Sequence, residues 1–160
     1  MRRAINLAKQ AAKAGEVPIG AVLVSPLKKM DSEALDERTL TEGILSEAGN
    51  LRESEKSPTA HAEILAIEKA AKKSPSWRLS GATLYVTLEP CLMCAGAILN
   101  SRIYRLVYGA QDPKGGAVDS LYSCLSDSRL NHQCQVTQGV LADECGEILR
   151  QFFKELRLKK

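Results

Sequence analysis

The sequence predicts an α/β fold, a sandwich of helices around one sheet. Three observations predict it. Short apolar runs rich in β-branched residues alternate along the chain with stretches of helical period. The 160 residues suit a single domain, 1–160, and are enough to bury a core. Hydrophobic residues make up 44% of the chain and charged residues 26%, the balance of a globular protein.

The elements follow in order. Ala4, Ile5, Leu7, Ala8, Ala11 and Ala12 recur with helical period, and Gly15 stands where that helix would stop. Ile19 to Val24 reads as a buried strand. The pattern then fails from Ser25 to Glu42, where Pro26, Lys28, Lys29, Asp31, Glu33, Asp36, Glu37 and Arg38 predict a surface insertion. Ile44 to Ala48 resumes as a strand, and Arg52 to Ser57 is a polar loop. A helix is expected from about Ala60 to Lys73 with Thr59 as its N-cap. Ala82 to Thr87 is a strand. Pro90 suits the first position of a helix running to about Asn100. Strands near Ile103–Tyr108 and Gln135–Gln138 bring the count to five, with a Gly-rich loop from Asp112 to Asp119 between them. A last helix from about Ala142 to Leu156 carries the apolar stripe Ile148, Leu149, Phe152, Phe153 and Leu156.

Composition bounds the function classes. No apolar run approaches the roughly 20 residues of a membrane span, so no membrane partner is expected. The N-terminus leads into a patterned helix rather than a signal peptide, which predicts a cytoplasmic protein. The net charge of +3 and a pI near 8.6 permit a nucleic-acid partner without requiring one. Five cysteines in a reducing compartment point to metal or redox chemistry where two stand close together.

That pair is Cys91 and Cys94, in Pro90-Cys91-Leu92-Met93-Cys94. At i and i+3 on a helix start, both sulfurs can reach one ion, and the helix N-terminus favours thiolate. Alone, the spacing also suits a redox pair. His61-Ala62-Glu63 narrows the choice. It opens a helix upstream, and a helix–strand–helix unit brings two helix N-termini to one sheet edge. His61 can thus join Cys91 and Cys94. Three protein ligands leave a fourth tetrahedral position for water, as in a catalytic zinc site. A structural zinc would need a fourth ligand, and His132 is the only other histidine. Cys124, Cys134 and Cys145 read as core thiols. Glu63, two residues past the ligand, is placed to accept and deliver protons, although a first-turn acid also complements a helix dipole. His-X-Glu with Pro-Cys-X-X-Cys is the signature of the zinc nucleobase deaminases.

The chain resembles one group of these, the bacterial tRNA-specific adenosine deaminases. The resemblance runs through Gly15-Glu16-Val17-Pro18-Ile19-Gly20-Ala21-Val22, Asn50, Pro58-Thr59-Ala60-His61-Ala62-Glu63-Ile64, Thr87 to Ala97, Ser101-Arg102-Ile103, Val107-Tyr108-Gly109-Ala110, Leu130-Asn131-His132 and the Gly139-Val140-Leu141 to Phe153 ending. Cytidine, guanine and riboflavin-pathway deaminases share the zinc motif but are not similar in the final third. The resemblance implies a three-layer α/β/α sandwich around a mixed five-stranded sheet of the cytidine deaminase type. It implies one zinc per subunit on His61, Cys91 and Cys94, with Glu63 catalytic. It implies conversion of adenosine to inosine at the wobble position of a tRNA anticodon stem-loop, by a homodimer whose subunits share RNA contacts. Substrate contacts are expected at Asn50, Ala62, Glu89, Asp112, Lys114, Asn131, His132 and Phe153. Without the resemblance, Asn50 reads as a turn residue, Lys114 as a solvated cation and Phe153 as core.

Three departures from the family pattern stand out: the Ser25–Glu42 insertion, Asp119 where glycine is usual, and a start at Met1-Arg2-Arg3 slightly inside the family's first helix. Two other functions compete, a deaminase of a free base or nucleoside and a non-catalytic zinc-stabilised RNA-binding module. Intact Glu63 speaks against the second.

Overall fold

The computed structural model describes residues 1–25 and 43–159. In chain order these form α1 (Arg2–Lys13), β1 (Gly20–Val24), β2 (Ile44–Gly49), α2 (Ala62–Lys73), β3 (Thr83–Leu88), α3 (Leu92–Asn100), β4 (Arg105–Ala110), a short 3-10 turn (Cys124–Ser126), β5 (Gln135–Thr137) and α4 (Ala142–Leu158). The expected insertion at 25–42 lies outside the described residues except for Ser25.

The five strands make one mixed sheet in the order β2-β1-β3-β4-β5. β1 is antiparallel to both β2 and β3, while β3, β4 and β5 run parallel. β2 and β3 therefore point the same way. The helices that follow them, α2 and α3, consequently begin at the same sheet edge, and this is what assembles the site.

Helices cover both faces, giving the expected three layers. α1 and α4 share one face, α2 and α3 the other. Two glycines let the first pair approach closely. A Cβ on Gly20 would run into the backbone of Ala4 and Ala8 in α1, and one on Gly109 would run into Cys145 of α4. Against the other face pack Leu23, Leu84, Val86, Ala66, Ile98, Leu106, Val118 and Leu125, all buried. Cys134 and Cys145 are buried in the core as expected, and Cys124 is half-buried. No helix among the described residues is long and apolar enough to cross a membrane.

The boundaries move in informative ways. Thr59 is not the cap of α2; His61 is, with an extended backbone (φ −74°, ψ 150°). Pro90 likewise precedes the helix, and Cys91 caps α3 (φ −75°, ψ 175°). Two of the three expected ligands thus sit at the turn of chain where each helix starts. β4 begins later than Ile103 because Arg102 takes a left-handed backbone (φ 62°) and Ile103 bridges Ser80 before the strand settles. The apolar stripe of α4 is only partly covered. Ile148, Leu149 and Phe152 are half-buried, but Phe153 and Leu156 are exposed.

Candidate active site

Three ligand atoms converge between the starts of α2 and α3. His61 Nδ1 lies 3.8 Å from Cys91 Sγ and 3.6 Å from Cys94 Sγ, and the two sulfurs are 3.7 Å apart. No other cluster of this kind occurs among the described residues. The separations test what the cluster can hold. A tetrahedral zinc with bonds of about 2.3 Å to sulfur and about 2.05 Å to nitrogen sets its sulfurs about 3.8 Å apart and each sulfur about 3.6 Å from the nitrogen. The residues present fit that ion. The sulfurs are far outside disulfide bonding distance, and a redox pair would not need His61.

The electrostatics agree. The hydrogen bond from the Cys94 thiol and the neighbouring His61 hold the Cys91 thiol down to about 4, and the same contact pushes Cys94 up. Cys91 in turn raises His61. Thiolate charge is already concentrated there, and a cation would release the proton that the sulfurs share.

Glu63 stands one helical residue beyond Ala62, which is fully buried. The Glu63 side chain is only 3% exposed, and its Oε2 is buried with no hydrogen-bond partner. Burial pushes its carboxyl above the usual range. An unsatisfied buried carboxylate is costly. A helix-dipole role would place it at the surface instead.

Asn50 ends β2. Its N–H donates to Ile19 O, and the next residue, Leu51, donates to Ala60 O, beside His61. The structure thus brings Asn50 to the ligand-bearing segment. Its amide donates to Glu16 Oε2 at 3.1 Å. Glu16 is fully buried and also accepts from Glu53 N–H and from the N–H and hydroxyl of Ser54.

The Glu89 carboxylate is engaged by hydrogen bonds inside the protein. Oε1 accepts from the N–H groups of Val118, Asp119 and Ser120, and Oε2 from Asp112 N–H and the Ser120 hydroxyl. These donors hold the carboxyl down to about 2 although burial alone would raise it. Glu89 is thereby the anchor of the Gly-rich loop. The loop is also tied to the cysteine segment, since Ala117 N–H donates to Pro90 O and Gly116 bridges Cys91. Asp112 and Lys114 lie on this loop. Asp112 Oδ1 accepts from Lys114 N–H, and Lys114 is exposed. Asp119 has an ordinary backbone, so no glycine is needed there. Its carboxylate accepts from the Tyr108 hydroxyl at 2.6 Å.

Three expected residues are not brought to the cluster within this chain. Asn131 and His132 precede β5, at the opposite end of the parallel strands from Cys91. Asn131 Oδ1 accepts from Arg102, and His132 Nε2 lies 2.8 Å from Ile103 O. Phe153 sits on α4, 39% exposed, with its ring edge-on to Phe152. Sequence reasoning in turn missed what Glu16, Ser54 and Ser120 do. The one available signal was a charged residue, Glu16, embedded in an apolar entry to a strand.

Relatives agree with this geometry. A model of the MafB19-like deaminase family matches residues 1–157. The tRNA-specific adenosine deaminase of Bacillus subtilis (strain 168) is 51% identical over 160 residues, covering 100% of this chain and 90% of the relative. That of Haemophilus influenzae is 47% identical over 160 residues, covering 100% of this chain and 84% of the relative. A solved structure from work on A-to-I editing by tRNA:A34 deaminases at the wobble position of transfer RNA superposes with a TM-score of 0.79 at 44% identity, covering 93% of this chain and 97% of that one. The chain belongs to the MafB19-like deaminase family and, within it, to the tRNA-specific adenosine deaminases.

Proposed function

We propose that this protein is a zinc-dependent hydrolase that converts adenosine to inosine at the wobble position of a tRNA anticodon. The observation that carries the chemistry is the unpartnered buried carboxylate of Glu63 beside the His61, Cys91 and Cys94 cluster. The substrate rests on the kinship with proteins named for it.

One zinc per subunit on the three ligands would supply a Lewis acid that lets an attached water lose a proton near neutral pH. Glu63 accepts that proton and passes it to N1 of the adenine. Water oxygen adds to C6, Glu63 delivers the second proton to the exocyclic amine, and ammonia leaves. Atoms balance as adenosine plus water to inosine plus ammonia. A raised carboxyl pKa suits a group that must hold a proton and release it again. Anticodon-loop bases are unpaired, so turning one into the pocket costs little. Asn50 and the backbone at Ala62 hold the base or its ribose, and Asp112 and Lys114 meet the RNA from the anchored loop.

The exposed Phe153, Leu156 and Leu158 on α4 support a homodimer and further RNA contact, through which Asn131, His132 and Phe153 reach the nucleic acid. A tRNA-modifying activity fits the cytoplasm. Incubating the zinc-loaded protein with tRNA bearing a wobble adenosine and sequencing for inosine tests the reading. Conversion is expected, with loss on chelation. No conversion of tRNA, together with ammonia release from guanine, cytosine or cytidine, would establish the free-base alternative.

A further inference from the structure

We infer that Glu16 is a positioning residue for the reaction, fixing which end of the Asn50 side-chain amide faces the substrate. The inference rests on the reading of Asn50 as a substrate contact.

Glu16 lies in the loop between α1 and β1 and is fully buried, yet no described cation pairs with it. Burying a carboxylate costs several kcal/mol unless hydrogen bonds replace its water. Four donors do so. They are Asn50 Nδ2 at 3.1 Å, Glu53 N–H at 3.1 Å, Ser54 N–H at 2.7 Å and the Ser54 hydroxyl at 2.5 Å. Every one belongs to the segment 50–54, between β2 and the turn that leads to His61. Tying a loop down could be done by neutral groups at less cost.

What a carboxylate does, and an amide cannot, is accept only. The oxygen of the Asn50 amide would be repelled by Glu16, so the nitrogen must face it. The amide is then fixed about its last torsion, which is otherwise nearly two-fold. One N–H is spent on Glu16. The other N–H and Oδ1, which has no hydrogen bond among the described residues, are presented in a single orientation. A glutamine at position 16 has one oxygen and one NH2, so it cannot accept from both the Asn50–Glu53 side and the Ser54 side, and with its NH2 toward Asn50 it would let the Asn50 amide turn over.

A double-mutant cycle tests this, using kcat and KM for inosine formation on tRNA. Glu16→Gln is isosteric and should keep the native fold at the assay temperature, though with a lower melting temperature; circular dichroism at that temperature and zinc content report this. The expected result is a fall in kcat/KM of between about tenfold and a hundredfold, seen mainly in KM, with fold and zinc retained. In the Asn50→Ala background, Glu16→Gln should change nothing further, because the group it orients is gone. Glu16→Asp keeps an acceptor-only group and should recover part of the loss. Three results overturn the inference. In one, Glu16→Gln keeps wild-type kinetics. In another, it costs the same factor with and without Asn50. In the last, it loses activity only in proportion to lost folded protein. If Asn50→Ala itself has no effect, the Asn50 reading fails first, and a wild type that makes no inosine at all fails the function instead.

Discussion

Glu63 and Glu89 are both buried, 3% and 2% exposed, and each lies two residues from a member of the His61, Cys91 and Cys94 cluster. Their circumstances are opposite. Glu63 opens α2 with one oxygen unpartnered, and burial drives its carboxyl up. Glu89 ends β3 with both oxygens saturated by donors from the 112–120 loop, and they drive its carboxyl down to about 2. Burial is the same, so burial does not distinguish the proposed proton carrier from a structural anchor. The supply of donors does. Where the chain withholds hydrogen bonds, the carboxylate stays reactive. Where it supplies them, the carboxylate organises backbone.

The sharpest way to break this comparison is Glu63→Gln. The variant should lose between about 10²- and 10⁴-fold in the rate of inosine formation. It should keep its metal, because the three ligands do not involve it. It should also melt no lower than wild type, since a buried unsatisfied charge has been removed. Single-turnover inosine yield, metal analysis and calorimetry read the three. A variant that loses its zinc would move Glu63 into the ligand set and end the contrast.

Glu89→Ala should behave the other way round. It leaves the N–H groups of Asp112, Val118, Asp119 and Ser120 without their acceptor, each worth about 1–3 kcal/mol where it stays buried. Urea denaturation should therefore show a loss of at least about 3 kcal/mol. Gly116→Ala attacks the same anchor by sterics. A Cβ there would run into the Glu89 carboxylate, and overpacking of this kind costs about 1–3 kcal/mol. If Glu89→Gln keeps full stability but loses activity, Glu89 touches substrate after all.

The chain's own pattern told these two glutamates apart only in part. Glu63 was legible because its spacing to His61 and Cys91 repeats a chemical signature, and chemistry at a metal depends on few residues close in sequence. The element types were legible too, since apolar periodicity reports burial directly. Glu89 was not. All but one of its donors, the Ser120 hydroxyl, are backbone N–H groups 23 to 31 residues away, and a backbone N–H has no side-chain identity to read. Glu16 was hidden because its partners, the side chains of Asn50 and Ser54 and two backbone N–H groups, lie 34 to 38 residues away and nothing local ties them to it. The cap positions at His61 and Cys91 were missed because Thr59 and Pro90 satisfied local preference, while the chain stays extended through His61 and Cys91 before each helix begins.

Acid titration extends the comparison to Glu16. Burial alone would raise its carboxyl, but the Ser54, Glu53 and Asn50 donors together outweigh burial and lower it below its ordinary 4.5. A group depressed in the folded state adds stability above its unfolded pKa, and that stability is lost as pH falls through the lower folded value. Wild type should therefore be more stable than Glu16→Gln at pH 7, and the gap should close as the pH drops below the ordinary carboxylate range. Denaturation curves for both proteins across that range check the sign. A gap that widens on acidification would mean that Glu16 is protonated in the fold.

Asp119 should give the smallest effect. Its N–H serves Glu89, which any residue could do, and its side chain adds only the acceptor for the Tyr108 hydroxyl. Asp119→Gly removes that bond and loosens the unfolded chain, for about 1 kcal/mol in all. The loop should stay in place, because Asp119 has no left-handed backbone that a glycine would relieve and Glu89 keeps its other donors. With the 112–120 loop facing RNA as proposed, removing its negative charge should tighten tRNA binding, most visibly at low salt. Tyr108→Phe is the control. It removes the same hydrogen bond, together with the one to Gln138, and keeps the Asp119 charge, so it should lose stability without the gain in affinity. If the two variants instead lose activity together, the Tyr108–Asp119 bond shares the anchoring that is assigned here to Glu89 alone.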